Sequence, residues 1–226
     1  MPSITRRSTT ALLLFVVCFF AVWSIRAVFL YAIDEALAPG ALRTVYSLAV
    51  KLLLWGVPAF GYALWVRRQP PFRFLGLATL PSARQWFKYL IFIGLFLGAQ
   101  VGFETLVGGR QLSLSGVYAA LTVPGLLALA ASAFLEELLF RGLLLHELAE
   151  LLPRWGANLL TSLLFAAIHL PFWLSHGGLS ATLLTNAGSV FIFSLLAGWL
   201  YLDSASIWPP TLAHIANNCL AIVLIA

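Results

Sequence analysis

Charge is the first thing this chain lacks. Only 9% of its 226 residues are Asp, Glu, Lys or Arg, whereas 62% are hydrophobic, a balance that excludes an ordinary soluble domain. Polar linkers are also missing, because no charged or Ser/Gly-rich stretch is long enough to separate domains, and the sequence holds no internal repeat or low-complexity tract. Its two cysteines, Cys18 and Cys219, both fall in apolar runs, which excludes a disulfide framework and a CxxC metal site. What is present is a succession of apolar runs of the roughly 20 residues needed to cross a hydrocarbon core. The reading is an all-α polytopic membrane protein, a single integral membrane domain over 1–226.

Seven helices, within a range of about six to eight, are expected at about 10–32, 44–66, 87–106, 119–146, 155–175, 179–202 and 206–226. The first follows Arg6 and Arg7 but is too long, and lacks the small-residue cleavage site, for a signal peptide. A net charge of +5 would suggest nucleic acid as partner of a soluble protein; here membrane topology accounts for it, and no nucleic-acid partner is expected. Arg6, Arg7, Arg67, Arg68, Arg73, Arg84, Lys88 and Arg154 fall on one side of the seven-span arrangement, and Arg43 and Arg110 on the other. By the positive-inside rule the first side is cytoplasmic, which places the N-terminus in the cytoplasm, in a bacterial or archaeal membrane. The segment 69–88, rich in proline, arginine and aromatics, suits the headgroup layer or an ordinary connecting loop.

A charge at mid-helix costs about 2.5–3.5 kcal/mol on insertion scales, so intramembrane polar groups are functional candidates by default. Arg26, Lys51 and Glu104 sit singly and near enough to span ends to snorkel. "FLEELLFRG", Phe134 to Gly142, is different. Glu137 and Arg141 are four apart with the acid first, the favourable order for a helical ion pair, while Glu136 points about 100° away and is left without a local partner. In the fifth span Phe165 and His169 share a face, and Pro171 bends or ends the helix just after. In the seventh, His214 and Asn218 share a face behind Pro209 and Pro210, which are tolerated at a helix start. Each histidine alone is equally well read as structural hydrogen bonding between helices. Together, a carboxylate, two imidazoles and a carboxamide can activate water and stabilise an oxyanion. The chemistry suggested is hydrolysis of an acyl bond, most naturally a peptide bond.

The three motifs, EExxxR at 136–141, FxxxH at 165–169 and HxxxN at 214–218, occur in this order on successive hydrophobic segments. The set resembles the CPBP family of intramembrane endopeptidases, which includes the CAAX prenyl endoprotease and the bacterial Abi proteins; it covers about 119–226, and 1–118 matches only as generic membrane helices. The resemblance implies a recessed cavity open to cytosol and lipid, and a metal-free glutamic mechanism without cofactor. In it Glu136 is the general base, His169 holds the water, and His214 and Asn218 stabilise the oxyanion. Glu137 and Arg141 are the supporting pair, with Phe165 beside them. The implied partners are a membrane-associated or lipid-anchored protein or peptide substrate and the lipid bilayer, with cleavage at the cytoplasmic side.

Three alternatives remain at this stage. Glu136, His169 and His214 could ligate Zn²⁺, although no HExxH is present, and "HELAE" at 146–150 reads as a solvated turn. A transporter could use the same groups as a proton relay, although no repeated halves are seen. A non-catalytic immunity protein would keep the fold without the chemistry. Depth is a difficulty, because His169 lies about 20 Å along a helix that starts at the cytoplasmic face, deeper than a cytosol-facing chamber requires.

Overall fold

The computed structural model describes residues 6–37, 40–113 and 123–225; the expected start of the fourth span, 119–122, and residue 226 lie outside them. The fold is all-α and polytopic, as its composition requires. Among the described residues, five helices are long and apolar enough to cross a membrane: Thr9–Ala36 (α1), Ala41–Val66 (α2), Ala83–Leu106 (α4), Arg154–Gly177 (bent into Arg154–Ala167, α6, and Leu170–Gly177, α7) and Ala181–Ser204 (α8). The other two expected spans are helical as well. They are 123–151 (α5), which carries the acidic pair, and the 16-residue Trp208–Val223 (α9). The short α3, Pro71–Phe74, lies between α2 and α4. Gln111–Leu112 pairs antiparallel with Leu224–Ile225 in a two-stranded ribbon.

Local sequence chemistry sets the helix ends. Ser82 and Gln85 form a reciprocal capping box at the start of α4, and the Ser180 hydroxyl accepts from Leu183 N at the start of α8. Pro209 and Pro210 occupy the first turn of α9, where the missing N–H costs nothing. Pro171 falls in the first turn of α7, so the chain bends at Ile168–His169.

The core runs along α5, whose residues Leu138–Leu145 are all buried and are wound with wide i→i+5 hydrogen bonding, a local irregularity frequent at functional sites. Trp55, Phe19 and Phe140 interlock beside it, with ring centroids 5.1 to 6.3 Å apart. The segment around α3 docks against this helix with Phe74, Leu75 and Gly76 buried, while Trp208 Nε1 donates to Leu77 O at 3.1 Å and Ser206 Oγ to Thr79 O at 2.7 Å. Segment 69–88 is therefore fastened to the bundle over part of its length, with Phe72, Leu80 and Phe87 exposed.

Two expectations about charged side chains are corrected. "HELAE" is no solvated turn: Glu147 is buried, its Oε1 3.0 Å from Arg67 Nε and its Oε2 3.0 Å from the donating Tyr62 hydroxyl. Arg67 also bonds Glu150 at 2.7 Å, so the cluster ties the end of α2 to the end of α5. Arg26 and Lys51 do not snorkel either. Arg26 pairs with buried Asp34, and Lys51 reaches across to α5. Glu104 pairs with Arg110 at 3.6 Å at the end of α4.

Gly142 follows Arg141 directly, and a Cβ there would stand 2.8 Å from the backbone oxygen of Leu75. Because the obstacle is main chain, Gly142→Ala must push the α3 segment off α5. It is expected to lower stability by about 1–3 kcal/mol, seen as a lower midpoint of thermal unfolding in detergent.

Candidate active site

Successive residues of α5 face different neighbours, as the helical angle requires. Glu137 turns toward α8 and α9 and is entirely buried, as is Arg141. Arg141 Nη1 donates to Glu137 Oε1 at 2.9 Å, and Nη2 donates to the carbonyl and hydroxyl oxygens of Ser194 at 3.0 and 2.7 Å. The guanidinium also lies over the Phe165 ring, 4.6 Å from its centroid. The expected ion pair is therefore present, and it is bolted to α8 as well.

The pair has a further task that spacing did not reveal. His214 Nδ1 donates to the same Glu137 oxygen at 2.7 Å, which fixes the tautomer and turns Nε2 toward Glu136, 3.8 Å from its Oε2. That separation is too long for a direct hydrogen bond. His214 thus stands between the two glutamates, held by one and facing the other.

Glu136 turns to the opposite side, and here the expectation of a carboxylate without a partner fails. Lys51 of α2 donates to Glu136 Oε1 and to the Ser132 hydroxyl, and Ser132 Oγ donates to the same Oε1 at 3.4 Å. Spacing arguments work within one helix, and Lys51 comes from another, 85 residues earlier. One oxygen of Glu136 is thereby occupied, and Oε2 is the one that faces His214.

Phe165 joins the groups together. Its carbonyl accepts from His169 Nδ1 at 2.8 Å, its ring meets His169 and His214 edge-on at 5.2 and 5.8 Å, and it packs against Phe140 at 4.9 Å. Trp173 stacks on the other face of His169, 5.3 Å away. These contacts hold His169 Nδ1 as a donor and leave Nε2 available.

Glu136 and His169 line a cavity of about 520 Å³ between α1, α2, α5 and the α6–α7 bend. Much of its wall comes from α1 and α2, including Arg26, Asp34, Arg43 and Lys51, so the N-terminal half contributes to the site directly. Asn218 follows His214 by one turn and is partly buried. It does not line this cavity and has no hydrogen-bond partner among the described residues, so the structure leaves it beside the cluster and not joined to it. No three His, Cys, Asp or Glu among the described residues are grouped to hold a metal ion.

Arg141→Met would strand Glu137 in the core, an uncompensated buried charge that costs about 3–5 kcal/mol. Removing both charges with Glu137→Gln and Arg141→Met together should recover a large part of that loss. Chemical or thermal unfolding of the two variants in detergent checks the order.

Comparison of the chain with curated proteins and with solved structures gives no match. Residues 118–220, which supply every member of the Glu136–Glu137–Arg141–Phe165–His169–His214 cluster, match the family described as Rce1-like, Type II CAAX prenyl endopeptidase Rce1-like; over this segment, a little under half of its length, the chain is similar to the CAAX prenyl endopeptidases that its three motifs resemble.

Proposed function

We propose that this protein is an intramembrane endopeptidase that hydrolyses a peptide bond in a membrane-associated or lipid-anchored protein, with Glu136 as the base that activates water. The observation that carries the reading is the juxtaposition of Glu136 Oε2 and His214 Nε2, 3.8 Å apart, beside a cavity that Glu136 shares with His169. Water taken up there meets a carboxylate oxygen as proton acceptor and imidazole nitrogens that orient it.

The steps follow from the hydrogen bonds. Lys51 and Ser132 hold Oε1 of Glu136, so Oε2 takes the proton as the water oxygen bonds to the scissile carbonyl carbon. The oxyanion that forms is stabilised by donors placed for it in advance, with His214 Nε2 the first of them. When that nitrogen carries a proton, the Glu137 carboxylate against Nδ1 balances the charge. The Asn218 amide, one turn away, is the second donor in this reading. Collapse of the intermediate breaks the C–N bond, and the proton held by Glu136 passes to the leaving amine.

The shape of the cavity supports hydrolysis over transport. A conduit needs openings at both faces, whereas the wall of this cavity reaches no further along α5 than Glu136. Beyond that point the helix is buried through Leu145, and the Arg67–Glu147–Tyr62 cluster closes the far end.

Glu136→Gln keeps size and the hydrogen bond from Lys51 but removes the base, so processing should fall by about 10²–10⁴-fold while the protein, although destabilised by the loss of the Lys51 counter-ion, still folds. Comparing membrane proteomes of cells producing the wild type and the variant should reveal one precursor that stays uncleaved only with the variant; near-wild-type processing would overturn the assignment. Metal dependence has its own readout. Purified protein treated with a chelator should keep its activity, and a loss restored by stoichiometric Zn²⁺ would contradict the metal-free mechanism.

A further inference from the structure

The position of the cavity along the membrane normal conflicts with cleavage at the cytoplasmic side. Its lining runs from mid-span, at Trp23 and Trp55, to one end of the bundle, at the last turns of α1 (Tyr31, Asp34), the first turns of α2 (Arg43, Thr44, Ser47) and the bend before α7 (His169, Phe172). Along α2, Lys51 marks the level of Glu136. It lies eight residues from Arg43 and sixteen from Arg67, about 12 Å from the cavity end against about 24 Å from the other at 1.5 Å per residue. The depth of His169 along α6, about 20 Å from Trp155, agrees.

Cations are divided between the two ends just as unevenly. Arg6 and Arg7 at the start of α1, Arg67 and Arg68 at the end of α2, Arg73 on α3, Arg84 and Lys88 at the start of α4 and Arg154 at the start of α6 lie at the end away from the cavity. Contacts fix this placement: Arg67 meets Glu147 and Glu150 at the end of α5, while Lys88 meets Asp203 and Arg154 meets Leu202 O at the end of α8. At the cavity end the cations flanking the spans among the described residues are Arg43, in the first turn of α2, and Arg110, after α4, beside Asp34, Glu35 and Glu104. Connections between spans are short, the condition under which Lys and Arg determine orientation.

We infer that the cavity holding Glu136 and His169 opens on the non-cytoplasmic side of the membrane, so that its substrate is a protein segment anchored at the outer face of the bilayer. This rests on the proteolytic reading for the word substrate, but the orientation itself stands on charge and geometry alone. A cytosolic lipid-modified protein would have to bring its cleavage site past the closed Arg67–Glu147 end, whereas an exported segment reaches the Arg43 end without crossing the hydrocarbon core.

Single cysteines test the orientation in the full chain with Cys18 and Cys219 replaced by serine. Leu42→Cys marks the cavity end and Ala78→Cys the basic end; both side chains are exposed, and neither belongs to the proposed machinery. With a membrane-impermeant maleimide added to intact bacterial cells, Leu42→Cys should label at once and Ala78→Cys only after permeabilisation. Labelling of Ala78→Cys in intact cells, or of Leu42→Cys only after permeabilisation, would overturn the inference. Glu136→Gln should leave both patterns unchanged, so a failure of the proteolytic reading and a failure of the orientation are told apart.

Discussion

Everything in the site depends on how the bundle tolerates Glu137. A fully buried carboxylate is sustainable only with partners, and it has two, the Arg141 guanidinium and the His214 imidazole, both on the same oxygen. Arg141 in turn binds Ser194, so one acidic side chain ties α5 to α8 and α9. The imidazole that results has its Nδ1 committed and its Nε2 directed at Glu136. A group that would otherwise destabilise the core thus sets the orientation of the imidazole that faces Glu136.

Glu136 is balanced differently. Its counter-ion, Lys51, comes from the N-terminal half of the chain, and α1 and α2 also supply much of the cavity wall. The family match covers residues 118–220 only, so the arrangement that supports the family's motif is built partly from segments outside it. The cavity's polar surface is assembled from pairs, Arg26 with Asp34 and Lys51 with Glu136.

What was legible in the sequence was whatever repeats within one helix. Four-residue spacing identified the Glu137–Arg141 pair, the Phe165–His169 face and the divergence of Glu136 from Glu137, and proline positions located the bend at His169 and the start of α9. Contacts between helices distant in sequence carry no such period. Lys51 on Glu136, Ser194 on Arg141 and Tyr62 on Glu147 therefore could not be read, and lone charges looked like snorkelling residues or solvated turns. The apparent excess depth of His169 was a true distance, measured from the face away from the cavity. Asn218 shows the opposite limit: its spacing from His214 is correct, yet spacing alone does not bring its amide into the cluster.

The most direct test of this account is an experimental structure of the Glu136→Gln variant with an uncleaved substrate segment bound. The scissile carbonyl carbon should lie in the cavity beside residue 136, with its oxygen directed at His214 Nε2 and the chain entering past Arg43. A substrate bound elsewhere, with its scissile bond out of reach of residue 136 and His214, would contradict it.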